Sequence, residues 1–251
     1  MRMVAVLGWC IGLVAGVGVQ AGAQNGAAWT YLGKTGPLNW GRLDPAYQAC
    51  SKGHEQSPIE IRGAHLNKKL APLDFHYITG GMTLENTGNL IVAHVNPGGY
   101  LLLDGVKYGL ESIEFHSPSE TAVHGKLTDM DAEMIHRNAD GKMAIVQVRF
   151  MLDRGDPNAT MAALWEHLPT KAGGSEKVSM VNAGGLLPGD RGYWTYMGSL
   201  TTPPCTEGVR WFVMEQDLSL SREQARQFSG LFRMSSRPPQ DSHGRKIEAN
   251  E

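Results

Sequence analysis

The sequence predicts a mainly β fold built as a single domain, and three observations carry that prediction. Short runs rich in β-branched and apolar residues recur through the middle of the chain. Turn signals separate them at close intervals. Helical periodicity is confined to two stretches in the second half. β-Branched and aromatic side chains fit a pleated, half-buried surface, so such runs read as strands.

Taken in order, the expected strands are Met82–Asn86, Leu90–Val95, Tyr100–Leu103, Ile113–Phe115, Glu133–His136 and Met143–Leu152. Asn86-Thr87-Gly88, Asn96-Pro97-Gly98-Gly99, Asp104-Gly105 and Asn138-Ala139-Asp140-Gly141 lie between them. Asn and Asp side chains hydrogen-bond the backbone two residues on, which makes such clusters turns. Peripheral helices are expected over Ala159–His167 and Ser221–Leu231. Ser221 and Gln224 have the spacing of a capping box. Glycine (31) and proline (13) are spread evenly, so no linker divides the chain.

With 41% hydrophobic and 19% charged residues, the 251-residue chain suits a buried core. Its net charge is −2 and its charges are mixed, which speaks against nucleic acid or an anionic membrane as partner. Residues 1–23 read as an export signal. Arg2 opens it, Met3 to Val17 are largely apolar, and Ala21-Gly22-Ala23 has the small-x-small cleavage pattern. The run is shorter than the ~20 residues a membrane anchor needs. The expected domain is therefore 24–251, periplasmic or secreted. Cys10 leaves with the signal, and Cys50 and Cys205 remain. An even pair in an oxidising compartment suggests a disulfide worth roughly 5 kcal/mol for so long a loop. Two buried free thiols are the alternative.

Several motifs resemble the α-class carbonic anhydrases, bacterial and exported members in particular. They include Trp29-Thr30-Tyr31, Thr35-Gly36-Pro37-Leu38-Asn39-Trp40-Gly41 and Gln56-Ser57-Pro58-Ile59. Pro118-Ser119-Glu120 and Tyr193-Trp194-Thr195-Tyr196 follow. The most specific is Gly198-Ser199-Leu200-Thr201-Thr202-Pro203-Pro204-Cys205, with Arg210-Trp211 and Arg237-Pro238 after it. The resemblance spans nearly all of 24–251. It implies a central, twisted, mostly antiparallel sheet of about ten strands with peripheral short helices. It also implies a conical cleft for a small-molecule substrate, a Cys50–Cys205 disulfide, and zinc.

The metal motifs depart from the family pattern. A His-x-His strand motif reads Glu114-Phe115-His116 here, and the third histidine position reads Glu133. The interval of 17 residues from His116 to Glu133 is one that bacterial members commonly show. The register therefore implies that Glu114, His116 and Glu133 form the metal set. The proton-shuttle position is Asn89, and Val92 stands at the pocket position three residues on. Ser112 and Asp131 stand where a glutamine and a glutamate usually support the ligands. Gln147 and Arg149 replace residues that are usually small and apolar. Thr201 and Glu120 are kept; in the family this pair orients the metal's water. Tyr31 and Tyr196 are also kept, and the resemblance places Ile135, Ile145, Leu200, Thr202 and Trp211 in the pocket.

Three neutral imidazoles leave a zinc ion its +2 charge and bring its water's pKa to about 7. Two carboxylates cancel that charge, and Asn89 cannot relay protons as histidine does. Fast CO2 hydration is therefore expected to be impaired. One histidine with two carboxylates suits Mn²⁺ or Fe²⁺ as well as Zn²⁺. Three readings follow: a metal-dependent hydratase or lyase, an inactive binding protein, or a metal-free acid–base enzyme using Glu114 and Glu133.

Overall fold

The computed structural model describes residues 26–250; the expected signal, 1–23, and the chain start at Gln24 lie outside the described residues. Ten strands form the main path of the sheet. They are β1 (His65–Leu66), β2 (Thr79–Asn86), β3 (Ile91–Val95), β4 (Val106–His116) and β5 (Met130–Arg137). Then come β6 (Met143–Leu152), β7 (Ser175–Asn182), β8 (Tyr193–Ser199), β9 (Glu207–Met214) and β10 (Glu248–Ala249). Their spatial order is β7-β2-β3-β4-β5-β6-β9-β8-β10-β1. Three shorter strands pair off this path, making a sheet of thirteen, and Glu60–Ile61 with Ala122–Val123 form a separate two-stranded sheet among the described residues. Pairing along the path is antiparallel except for β6 with β9 and β10 with β1. The fold is mainly β, as expected.

The central strands are buried on both faces, and side-chain alternation sorts their residues between two cores. On one face Ile113 and Phe115 of β4, Ala132 and Met134 of β5, and Val146, Val148 and Phe150 of β6 build the large core. On the other face Ile135, Ile145 and Val213 pack with Tyr196 and Trp211. The same second face carries Glu114, His116, Asp131, Glu133, Gln147 and Arg149. A bulge between Leu110 and Ser112 resets the register of β4 against β5 just before these residues.

Helices are short. Ala159–Trp165 is capped by Asn158, whose side chain accepts from the Met161 amide, and buries Met161, Leu164 and Trp165. Arg222–Ser229 carries the expected capping box of Ser221 with Gln224. Two four-residue helices, Trp40–Leu43 and Ala49–Lys52, were not legible in the pattern. Cys50 in the second of them is disulfide-bonded to Cys205, which ties this segment to the turn after β8.

Candidate metal centre

One polar row crosses the buried sheet. Glu114 and His116 are alternate residues of β4, and Asp131 and Glu133 are alternate residues of β5. The ladder sets Glu114 opposite Glu133 and His116 opposite Asp131. Val92 lies opposite Glu114 on the far side, and Gln147 and Arg149 of β6 lie opposite Glu133 and Asp131. His116, Glu120, Asp131 and Glu133 are buried, whereas the Glu114 side chain keeps 18% of its exposure and marks the open side.

His116 anchors the row. Its Nδ1 donates to the Ser235 carbonyl at 2.6 Å. A carbonyl only accepts, so Nδ1 carries a proton, and in the neutral ring it is Nε2 that offers a lone pair. That Nε2 is buried and has no hydrogen-bond partner. It lies 3.9 Å from Glu114 Oε2 and 3.9 Å from Glu133 Oε2. Ligand atoms bonded to one ion at about 2.0–2.2 Å sit roughly 3–3.6 Å apart, so a small contraction closes the set. One ligand atom each from His116, Asp131 and Glu133 all lie within 4.8 Å of one another. Glu114 is outside that tighter group. The structure thus brings Asp131, read from the sequence as a supporting residue, in among the candidate ligands.

The surroundings hold these groups in place. Asp131 Oδ2 accepts from the Glu120 amide and from Gln147 Nε2, both at 2.7 Å. Glu133 Oε1 accepts from Gln147 Nε2 at 3.3 Å, and its Oε2 accepts from Thr201 Oγ1 at 3.4 Å. Thr201 and Glu133 both lie close enough to Glu120 to influence its ionisation, and Glu120 Oε2 is buried without a hydrogen-bond partner. Glu120 Oε1 accepts from the Arg237 amide at 2.6 Å. The buried Arg237 guanidinium donates to Gln56 Oε1 and to the Ser57 and Cys50 carbonyls.

Burial disfavours the charged carboxylate, and it dominates here. It pushes Glu120 and Asp131 each up to about 7, against the hydrogen bonds that favour their ionised forms. Glu133 is pushed well above the usual range, by burial first and then by the charges of Glu120, Asp131 and Glu114. Glu114 is raised as well, again by burial. A buried lone pair facing several reluctant carboxylates is chemistry that a cation satisfies. The residues present fit a divalent ion, and oxygen donors outnumber nitrogen among them.

The other expected site residues fall into two groups. Tyr31 is buried with an unpartnered Oη, and its ring stands edge-on to His116. Asn89 sits with Tyr31 in a rim cavity of about 290 Å³, and its Nδ2 donates to the Trp29 carbonyl at 2.9 Å. Val92 and the half-buried Ser112 flank Glu114 on the same face, and Leu200 and Thr202 flank Thr201. Ile135, Ile145, Tyr196 and Trp211 instead pack into the second core, with Trp211 Nε1 donating to the Ser199 carbonyl. Sequence reasoning gave no role to Ser235, whose carbonyl fixes the His116 tautomer. Nor did it give one to the Arg237 side chain, although the Arg237-Pro238 motif was its visible signal.

A large twisted sheet that carries a buried imidazole–carboxyl cluster, with a Thr–Glu pair beside it, defines a carbonic anhydrase-type scaffold. The family model for eukaryotic-type carbonic anhydrase matches residues 35–251, and the chain belongs to that family. A carbonic anhydrase of Klebsiella pneumoniae is 40% identical over 223 residues, 87% of this chain and 89% of that protein. One of Pectobacterium carotovorum is 36% identical over 239 residues, 94% of this chain and 97% of that protein. Among solved structures, the α-carbonic anhydrase of Thermovibrio ammonificans in complex with the inhibitor sulfanilamide superposes with a TM-score of 0.85 at 35% identity. That match covers 89% of this chain and 99% of the other. A dioscorin complexed with ascorbate gives 0.83 at 30% identity, over 88% and 97%.

Proposed function

We propose that this chain is a carbonic anhydrase-like lyase whose cleft holds an oxophilic divalent cation, and that its hydration of CO2 is slow. The observation that carries this reading is His116 Nε2, buried and unpartnered, with Glu114 and Glu133 each at 3.9 Å. His116 and Glu133 belong to both candidate ligand sets; Asp131 closes the set on the buried side and Glu114 on the open side. The bound ion supplies Lewis acidity, reduced here because two carboxylates cancel its +2 charge. Mn²⁺ and Fe²⁺ suit such donors as well as Zn²⁺. Thr201 takes its orientation from Glu133, to whose Oε2 it donates, so its hydroxyl oxygen is placed to accept from a substrate or water in the cleft. Asn89 gives no proton relay. The cysteine pair and the leader-like residues 1–23 support a home outside the cytoplasm.

A metal-free cleft is the second reading. It is favoured by Glu133, whose pKa burial and neighbouring charge raise well above the usual carboxylate range, the direction an acid needs. Metal analysis of the purified protein, paired with a CO2-hydration assay, separates the two. We expect a stoichiometric ion with a rate far below a three-histidine enzyme. The double variant Glu114→His/Glu133→His is expected to bind zinc and to hydrate CO2 faster. Stoichiometric zinc with a fast wild-type rate would sink this reading.

A further inference from the structure

We propose that Gln147 is a positioning residue matched to a carboxylate at 133, sorting the carboxylate oxygens of Asp131 and Glu133 so that one of each faces the ion. The proposal rests on the reading that a cation sits against His116 and Glu133. Gln147 lies on β6, fully buried, with Glu133 as its direct neighbour across the ladder. A single Nε2 donates to Asp131 Oδ2 at 2.7 Å and to Glu133 Oε1 at 3.3 Å. Those two oxygens are thereby turned back into the protein. The oxygens left over are Asp131 Oδ1, buried without a partner, and Glu133 Oε2, which faces His116 Nε2.

The amide orientation follows from the chemistry of its neighbours. Rotated by half a turn, the amide would set its carbonyl oxygen against two carboxyl groups. With Nε2 toward them, Oε1 is left buried and without a hydrogen-bond partner. A buried acceptor without a donor is unfavourable, so the arrangement holds only because the two carboxylates need the donor more. An apolar side chain here would leave Asp131 and Glu133 close together with nothing between them. An imidazole at 133 would remove one of the two acceptors and leave Gln147 only Asp131 to orient.

The probe is Mn²⁺ alone, titrated calorimetrically into wild type, Gln147→Met, Glu133→His, and the double variant Gln147→Met/Glu133→His. Methionine keeps the volume and removes the donor. Partners that orient ligands typically contribute 10–100-fold in metal affinity. We expect Gln147→Met to weaken Mn²⁺ binding at least tenfold while unfolding stays cooperative. We expect a clearly smaller loss when the same change is made in the Glu133→His background, where only the Asp131 contact remains. Rescue is expected from Gln147→Asn, in part, because the amide donor is retained. A wild type that binds Mn²⁺ with a Gln147→Met variant that binds equally well overturns this proposal alone. Equal losses in both backgrounds do the same, because they indicate a merely structural role. A wild type that takes up no Mn²⁺ overturns the reading of the site and this proposal with it.

Discussion

Replacing His136 by glutamine isolates one buried group whose charge state works against the fold in acid. His136 is on β5 but faces the large core, away from the carboxylate row, and is fully buried. Tyr77 Oη donates to its Nε2 at 2.6 Å, and its Nδ1 donates to the Ala144 carbonyl at 3.3 Å. Both ring nitrogens are thus committed in the neutral form, and protonation would reverse the Tyr77 bond and bring an uncompensated charge into the core. Burial depresses the pKa from 6.5 to about 4. The unfolded chain therefore takes up a proton at this residue as pH falls through 6.5, whereas the folded chain takes it up only near 4. The stabilisation is complete above pH 6.5 and is lost between 6.5 and 4. The shift amounts to about 3 kcal/mol in full, with about 2 kcal/mol already lost at pH 5. Glu120 and Asp131, raised to about 7, act with the opposite sign and stabilise as pH falls below 7. Urea unfolding of wild type alone would mix the two. The informative quantity is the difference in unfolding free energy between wild type and His136→Gln at pH 7 and at pH 5. It should shrink by about 2 kcal/mol on acidification. A difference that does not change with pH would refute the assignment of a neutral, buried imidazole.

Two further outcomes concern stability. The Cys50–Cys205 disulfide spans 155 residues, so Cys50→Ser with Cys205→Ser should cost about 2–5 kcal/mol by chemical denaturation; an unchanged midpoint would show that other contacts already hold the N-terminal segment. Arg237→Met should cost about 3–5 kcal/mol, because it strands the carbonyls of Cys50 and Ser57 and removes the cation nearest Glu120. Thermal unfolding reads this directly, and a loss below 1 kcal/mol would mean that solvent reaches these groups.

The strands that were legible are those whose residues carry a clear apolar pattern between turn signals. Tyr100–Leu103 and Met143–Leu152 have the expected bounds, and Ile113–Phe115 is the core of a longer strand. β7 was missed because its outer position leaves most of Ser175–Met180 exposed and polar, with one bulge. β8 and β9 were missed because glycines and polar residues interrupt them, and although they pair with each other, their outer neighbours β10 and β6 are distant in sequence. At the site, family motifs and strand alternation located Glu114, His116 and Glu133 on one face. They could not show that Asp131 joins His116 and Glu133 in one group with ligand atoms within 4.8 Å of one another, since that depends on cross-strand register. His94 shows the same limit. It shares a face with Val92, yet its ring turns to Glu85 on β2, 2.8 Å away, and leaves the cleft.

Four carboxyl groups in one buried row pose a charge problem that the scaffold solves only in part. Arg237 stands beside Glu120, and Arg149, opposite Asp131, is drawn 2.7 Å from Asp217. The His116 proton is spent on Ser235. Among the described residues Glu133 and Glu114 have no Lys or Arg in an ion pair with them, and burial penalises their ionisation. Protons or a divalent ion would relieve that cost. An ion bound there would be well neutralised, and that neutrality is what makes it a poor generator of a nucleophile. On the proposed reading, the carboxylates that would make the centre oxophilic are the same groups that would slow the hydration of CO2. Family motifs and the altered ligand positions meet in one pair of strands.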